Sequence, residues 1–201
     1  MNKGTLFIIS GPSGSGKDTV LEKVFKKCPE LKFSISVITR PMRENETPDG
    51  KYRFISVEQF KKMIENDELL EHNIFVGNYY GTPKKYVLDQ LENGFDCMVE
   101  VDVNGAEQIM EKMPDAVSMF VCPPSLEVLK SRLIGRGSDA PEIVEKRLNE
   151  AIREIKFAEN YDYLVVNDNL DDAVENAVSI IKSARLKTKN NTHIIEGIVN
   201  K

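Results

Sequence analysis

A glycine-rich segment near the beginning of the chain has the composition and spacing of a phosphate-binding loop. Its residues are Gly11, Pro12, Ser13, Gly14, Ser15, Gly16 and Lys17. The glycines allow the backbone to bend so that its amide hydrogens converge on one anion. Lys17 adds a full positive charge at the same place. The pattern predicts a site for the phosphates of a nucleotide, provided that a strand precedes the loop and a helix follows it.

The residue after Lys17 departs from this pattern, in which a serine or threonine hydroxyl at that position binds magnesium. Asp18 is found there, and the hydroxyl comes one residue later, at Thr19. Two roles are open for Asp18. It is either an acid favoured in the first turn of a helix by the helix dipole, or a group that approaches the metal directly or through water.

The flanking sequence supplies the elements that the loop requires. Residues 5–10 form a short apolar run rich in β-forming side chains, which indicates a buried strand. After the loop, apolar side chains recur at helical spacing at Val20, Leu21, Val24 and Phe25. The partly positive N-terminus of that helix would point at the anion. Strand, loop and helix therefore occur in the order that phosphate binding needs.

Strands and helices alternate along the rest of the chain, which predicts an α/β fold with a parallel sheet and crossover helices. Further buried strands are predicted over residues 33–38, 95–101, 116–121 and 163–166, and a short strand over 51–55. Helices are predicted over 104–112 and 170–187. Four more helices are predicted to begin at a capping box at Ser56, at an N-cap at Thr82 followed by Pro83, at an N-cap at Ser125, and at Pro141. Residues after about 189 are predicted to be polar and ordered only in part.

The composition excludes several classes of protein. The chain has 201 residues, of which 41% are hydrophobic and 29% charged, as in a soluble globular protein. No apolar run approaches the ~20 residues that span a bilayer, and the early first strand leaves no signal peptide. The three cysteines form no C-x-x-C pair, which indicates reduced thiols in a cytoplasmic protein. The net charge of -5 argues against a nucleic-acid surface.

Charged side chains follow two of the predicted core strands at their carboxyl ends. Arg40 and Arg43 come after the second strand, and Glu100 and Asp102 close the third. Ligands bind at the carboxyl ends of the strands in parallel sheets of this kind, so we expect these four side chains to lie near the phosphate loop. Residues 34–90, called the insert below, have the size of a small subdomain for a second substrate.

A series of motifs resembles that of the guanylate kinases, a family of P-loop nucleoside monophosphate kinases. Beyond the loop, these motifs are residues 39–43 (TRPMR), 50–52 (GKY), 70–72 (LEH), 77–82 (GNYYGT), 100–105 (EVDVNG), 132–137 (RLIGRG) and 166–168 (VND). The resemblance covers residues from about 4 to 187 and implies a P-loop NTPase fold with a parallel sheet flanked by helices. It also divides the chain into a core (1–33, 91–125 and 151–189), a mixed α/β GMP-binding region (about 34–90), a helical lid (about 126–150) and a polar tail (about 190–201).

The resemblance also implies a role for each matching residue. ATP would contact residues 11–19, Arg136 and Asn167. GMP would contact Ser36, Arg40, Arg43, Tyr52, Glu71, Tyr80, Thr82, Glu100 and Asp102. Catalysis would depend on Lys17, Arg40, Arg132, Arg136 and Arg147. Magnesium would enter with ATP and be held by Asp18, Thr19 or Asp102, in part through water.

Glu71 is the residue that the resemblance implies as the reader of the base. Guanine presents its N1–H and its 2-amino group side by side, and one carboxylate can accept both. Adenine lacks this pair and would leave a buried Glu71 unpaired, which can give ~10⁴-fold discrimination or more. Arg40 and Arg43 would supply planar bidentate donors for the GMP phosphate. Taken alone, each of these side chains would also suit a solvated surface position.

Two other functions remain open from the sequence. Guanylate-kinase-like modules bind phosphopeptides without turnover, although such modules typically lack an intact phosphate loop and the lid arginines that this chain has. A nucleoside monophosphate kinase for another base is the second alternative. The expected partners are ATP and GMP, without nucleic acid or membrane, and a homodimer is a guess from bacterial relatives.

Overall fold

Two β-sheets form the framework of the computed structural model, which describes residues 3–43, 46–47, 50–135 and 141–200. The strands are β1 (Leu6–Ser10), β2 (Lys32–Phe33), β3 (Ser36–Ile38), β4 (Tyr52–Phe54), β5 (Leu69–Phe75), β6 (Asn78–Pro83), β7 (Cys97–Glu100), β8 (Val117–Cys122) and β9 (Tyr163–Val166). The helices are α1 (Lys17–Lys27), α2 (Val57–Glu65), α3 (Lys84–Glu92), α4 (Val103–Lys112), α5 (Leu126–Ile134), α6 (Pro141–Lys156), α7 (Leu170–Arg185) and α8 (Thr192–Val199). Within the described ranges, no helix has both the length and the apolar character of a membrane span.

The first sheet is parallel and has the strand order β2-β7-β1-β8-β9. All five residues of β1, at its centre, are buried. Because side chains alternate along a strand, Phe7 and Ile9 pack against α1 and α7, whereas Leu6 and Ile8 pack on the opposite face with α3 and α4. The prediction of a parallel sheet flanked by helices is confirmed.

The single strand predicted over residues 33–38 is wrong, because these residues contribute to two strands in different sheets. β2 pairs with β7 in the first sheet, and the backbone N–H of Ser34 still donates to the carbonyl of Met98. β3 then pairs with β4 and β6 in the second sheet. An alternating apolar pattern suits a strand in either sheet, so the pattern alone does not locate the crossing at residues 34–35.

The second sheet has the order β4-β3-β6-β5 and lies within the insert. Helix α2 covers it, and the fully buried Phe60 joins a cluster with Val37 and Leu69. The predicted capping box of α2 is confirmed. The Ser56 hydroxyl accepts from the backbone N–H of Gln59, and the Gln59 side chain accepts from the backbone N–H of Ser56.

The predicted N-cap at Thr82 is wrong. Thr82 belongs to β6, and α3 begins at Lys84 with Pro83 as its N-cap. Thr82 lies opposite Glu71 in the β5–β6 pair, so the two side chains stand next to each other on the same face of the sheet. A cross-strand contact thus replaces the capping contact that the local sequence suggested.

Helices α5 and α6 form the described part of the predicted lid. Ser125 caps α5 by accepting from the backbone N–H of Val128 at 3.2 Å, and α6 begins at Pro141, both as predicted. The two helices share a buried cluster of Leu129, Leu133, Val144 and Ala151. Residues 136–140, which join them, lie outside the described residues. The division of the chain into core, GMP-binding region and lid stays a prediction.

The tail contains an element that the sequence reasoning missed. Residues 192–199 form α8, whose Ile198 and Val199 side chains are largely exposed. The polar residues around this segment concealed its short apolar repeat, Ile194, Ile195, Ile198 and Val199.

Candidate active site

The phosphate loop joins β1 to α1, and its glycines adopt a conformation that other residues rarely take. Gly14 and Gly16 have φ angles of 91° and 85°. A side chain at Gly16 would also overlap the amide nitrogen of Asn167. Gly16 is the N-cap of α1, so the loop leads directly into the helix N-terminus. The order of strand, loop and helix that the sequence predicted is therefore present.

Two side chains from distant elements hold the backbone of this loop. The buried Asn167 amide donates to the carbonyl of Ser15 at 2.8 Å. Arg132 donates to the same carbonyl at 3.3 Å and to the carbonyl of Asn167 at 2.9 Å. The predicted adenine contact and one predicted lid arginine thus bind the loop itself and fix its shape.

A second lid arginine also reaches the loop. Arg147 Nη2, on α6, donates to the hydroxyl of Ser13 at 2.7 Å. Arg136, the third predicted lid arginine, lies outside the described residues. The described lid arginines therefore converge on the phosphate loop, where the donor phosphates are expected.

Four charged side chains form a network next to the loop. Lys17 pairs with Glu100 Oε1. Lys51 Nζ lies 2.9 Å from Glu100 Oε2 and 2.7 Å from Asp18 Oδ1. Burial opposes ionisation of Asp18, but the hydrogen bond from Lys51 and the charge of Lys17 lower its pKa. The network contains two ammonium groups and two carboxylates, so its formal charge is balanced.

Glu71 is buried between β5, β6 and the first turn of α4. Its Oε1 accepts a 2.7 Å hydrogen bond from the Thr82 hydroxyl. Its Oε2 faces Gly105 in the first turn of α4. The pKa of Glu71 is raised to about 7, mainly by burial and in part by the charge of the nearby Asp102, against the effect of the Thr82 hydrogen bond.

The stability of the nucleotide-free protein should depend on pH through Glu71. The folded carboxyl, with a pKa of about 7, binds its proton more tightly than the unfolded one at 4.5. Its contribution to stability is therefore full below about pH 4.5 and is lost as the pH rises through about 7, with a limit of roughly 3 kcal/mol. Because Glu71→Gln stays neutral, we expect it to gain stability over the wild type between about pH 5 and about pH 8. Urea titrations at both pH values test this, and a pH-independent difference between the two proteins would contradict it.

Arg40 has an internal acidic partner that the sequence reasoning missed. Its guanidinium makes a two-point contact with the Glu46 carboxylate, with Nη1–Oε2 at 2.6 Å. It lies 5.5 Å from the centre of the Tyr52 ring and 5.6 Å from that of Phe54. Arg40 lowers the pKa of Glu46 to about 2. Arg40 Nε is buried and has no hydrogen-bond partner within the described part of the chain.

The other predicted GMP-binding residues surround Arg40 or lie on the same sheet. The Tyr52 and Tyr80 rings meet edge to face at 6.5 Å. Ser36 lies opposite Tyr52 in the β3–β4 pair. Arg43 is exposed, and its backbone N–H donates to Glu46 at 2.8 Å. The phosphate-binding candidates are therefore collected on the second sheet.

Asp102 links the Glu71 pocket to the end of the first sheet. Its Oδ1 accepts from the backbone N–H of Gly105 at 2.8 Å, which makes it the N-cap of α4, and its Oδ2 accepts from Asn73 at 2.7 Å. Asp102 follows Glu100, the partner of Lys17, by two residues. Lys17 of the phosphate loop contacts Glu100, and Glu71 contacts the first turn of α4 at Gly105. The phosphate loop and the Glu71 pocket therefore meet at the carboxyl end of β7.

The donor set near the loop fits a magnesium ion that arrives with a nucleotide. No group of three or more His, Cys, Asp or Glu side chains in the described ranges could hold a metal ion alone. Asp18 and Glu100, however, converge on one cation, the ammonium of Lys51. Mg²⁺ is commonly held by one or two carboxylates together with phosphates and water. Thr19 is exposed beside them on α1, whereas both Asp102 oxygens have partners within the protein.

Comparison with known proteins identifies the family. The guanylate kinase family model matches residues 3–184. The guanylate kinase of Oceanobacillus iheyensis is 46% identical over 185 residues, which cover 92% of this chain and 90% of that protein. The guanylate kinase of Carboxydothermus hydrogenoformans is 44% identical over 94% of this chain and 93% of its own length. The crystal structure of guanylate kinase from Anaplasma phagocytophilum matches with a TM-score of 0.77 and 31% identity, covering 94% of this chain and 89% of that one. The chain therefore belongs to the guanylate kinase family.

Proposed function

We propose that this protein is a catalytic guanylate kinase, which transfers the γ-phosphoryl group of ATP to GMP and releases ADP and GDP. The observation that carries this proposal is the position of the buried Glu71–Thr82 pocket. The pocket lies against Gly105 on α4, which follows β7, and Lys17 of the phosphate loop contacts Glu100 at the end of β7. One site suits guanine and the other suits nucleoside triphosphate.

The proposed ATP site consists of the phosphate loop and of the arginines on α5 and α6 that contact it. The loop amides and Lys17 would hold the ATP phosphates, and Lys17 must leave Glu100 to do so. Arg132 and Arg147 already lie on the loop and would add positive charge around the γ-phosphate. Asn167 and Arg136 are the proposed contacts beside the adenine.

The acceptor site would be built on one face of the second sheet, where the strand register places its side chains together. The Glu71 carboxylate would accept the guanine N1–H and 2-amino group, with Thr82 and Ser36 beside the base. Arg40, Arg43, Tyr52 and Tyr80 would bind the GMP phosphate. The two-point contact of Arg40 with the Glu46 carboxylate supports this assignment, because it shows the guanidinium holding a planar anion in the way proposed for the phosphate.

Phosphoryl transfer needs alignment of the two nucleotides and neutralisation of their phosphate charge more than it needs covalent catalysis. The GMP phosphate is already ionised, so no general base is required, and the protein contributes by aligning the two phosphates and neutralising charge. Magnesium bound with ATP would neutralise oxygens of the β- and γ-phosphates. We propose Asp18 and Glu100 as the carboxylates closest to it, with Thr19 and Asp102 as further candidates through water.

A comparison of acceptors tests the function. With ATP as donor, we expect phosphorylation of GMP and dGMP, and a kcat/KM for AMP and UMP lower by ~10³-fold or more. Coupled detection of ADP measures all four, and ATP without acceptor gives the background. A preference for AMP or UMP would identify a kinase for another base. Absence of turnover together with phosphopeptide binding would identify a binding module.

Two properties of the protein in the cell stay proposals. We propose a reducing compartment such as the cytoplasm, because Cys28, Cys97 and Cys122 are all free thiols in the structure. Assembly as a homodimer stays a prediction, which light scattering of the purified protein can test.

A further inference from the structure

Lys51 forms an ionic connection between the insert and the core. It lies next to Tyr52 of β4 in the second sheet, yet its ammonium contacts Asp18 on α1 and Glu100 at the end of β7. Lys51 therefore carries a positive charge at the point where the two proposed nucleotide sites meet.

The position of the Lys51 ammonium is set by Glu100, a partner that Lys51 shares with Lys17. Glu100 Oε1 pairs with Lys17, and Glu100 Oε2 pairs with Lys51. Two ammonium groups on one carboxylate lie close together. Lys17 belongs to the phosphate loop and is expected at the donor phosphates, so Lys51 lies beside the same place but approaches it from the acceptor side.

We propose that Lys51 is a second ammonium group of the phosphoryl-transfer site and contacts the transferring group between donor and acceptor. This inference rests on the proposed function. Without nucleotide, Asp18 and Glu100 neutralise Lys51. With both nucleotides bound, its charge is available to the γ-phosphate, since about half of its side chain is exposed and its contacts within the network are ionic.

The reaction explains why a further cation is useful there. The bond between the γ-phosphorus and the β–γ bridging oxygen breaks, and a bond forms between that phosphorus and an oxygen of GMP. ADP leaves with the bonding electrons, and Lys51 transfers no proton. Negative charge lies on the equatorial oxygens of the transferring group throughout this step. A fixed ammonium at those oxygens lowers the barrier without first having to be recruited from solvent.

Three variants separate this role from a structural one. Lys51→Met removes the charge and keeps most of the aliphatic chain, and Lys51→Arg restores a cation. Lys61→Met is the matched control, because Lys61 is exposed on α2 in the same insert. We expect Lys51→Met to lower kcat ~10-fold or more, Lys51→Arg to recover most of that loss, and Lys61→Met to behave as the wild type.

Binding measurements give a second readout. By calorimetry, ATP alone and GMP alone should each bind Lys51→Met within about threefold of the wild type. A dinucleoside pentaphosphate that joins adenosine to guanosine, and so fills the gap, should bind ~10-fold more weakly. Thermal melting of each variant verifies that it is folded.

Two results would overturn the proposal. One is a kcat for Lys51→Met within about twofold of the wild type, and the other is an equal loss of affinity for GMP alone and for the joined probe. Either result would reduce Lys51 to a contact that holds the insert against the core. Failure of the wild type to phosphorylate GMP would instead refute the proposed function, so the two failures are distinguishable.

Discussion

Replacement of Lys17 by methionine is expected to lower kcat for the reaction of ATP with GMP by ~10²-fold or more, the usual cost of removing one preorganised charge donor. The variant keeps the aliphatic part of the side chain, so the glycine turns of the loop should persist. It loses the charge that would follow the γ-phosphate during transfer. It also leaves Glu100 with Lys51 as its described ionic partner.

Steady-state turnover with saturating nucleotides measures the Lys17 effect. Lys23→Met is the matched control, since Lys23 lies on the same helix and forms a surface ion pair with Asp171, which typically contributes less than about 1 kcal/mol. We expect that control to retain wild-type kcat. Near-normal turnover of Lys17→Met would mean that the loop does not hold the reacting phosphates.

Replacement of Glu71 by glutamine is expected to impair the use of GMP far more than the binding of ATP. The glutamine amide offers one acceptor, and its NH₂ group would face a guanine donor. The expected loss in kcat/KM for GMP is ~10²-fold or more, and the KM for ATP should change less than about threefold. Little water can enter the pocket to replace the lost hydrogen bond to guanine, because Glu71 is 5% exposed and Thr82 is fully buried.

Competition between nucleotides checks the Glu71 assignment. The variant should lose part of the preference for GMP over AMP that we expect of the wild type, because it no longer presents two acceptors to the base. Glu65→Gln, an exposed acid at the end of α2 in the same insert, is the control and should leave both nucleotides unaffected. Equal losses for GMP and ATP in Glu71→Gln would show that this carboxylate does not read the base.

Local signals in the sequence were sufficient to predict a structural feature wherever that feature depends on a single strand or helix. The last core strand spans Tyr163–Val166 as predicted, α6 begins at Pro141, and Ser56 caps α2. Each depends on neighbours within a few residues. The order of strand, loop and helix that ends at Lys17 and α1 was predicted from local signals in the same way.

Tertiary contacts decided what the sequence could not show. Residues 33–38 form two strands because their hydrogen-bond partners lie in different sheets. Thr82 pairs with Glu71 across a hairpin, although its sequence suggests a helix cap. Glu46 and Lys51 were not singled out because a lone charged residue in a polar loop does not reveal the opposite charge that the fold brings to it.

The first turn of α4 packs closely against the Glu71 carboxylate at Gly105. A Cβ atom at residue 105 would lie 2.8 Å from Glu71 Oε2, closer than such contacts allow. The bare Cα of Gly105 thus leaves the space that the Glu71 carboxylate occupies. In the proposed acceptor site, the residue at position 105 would set the depth of the guanine slot through Glu71 and without a contact of its own to the base.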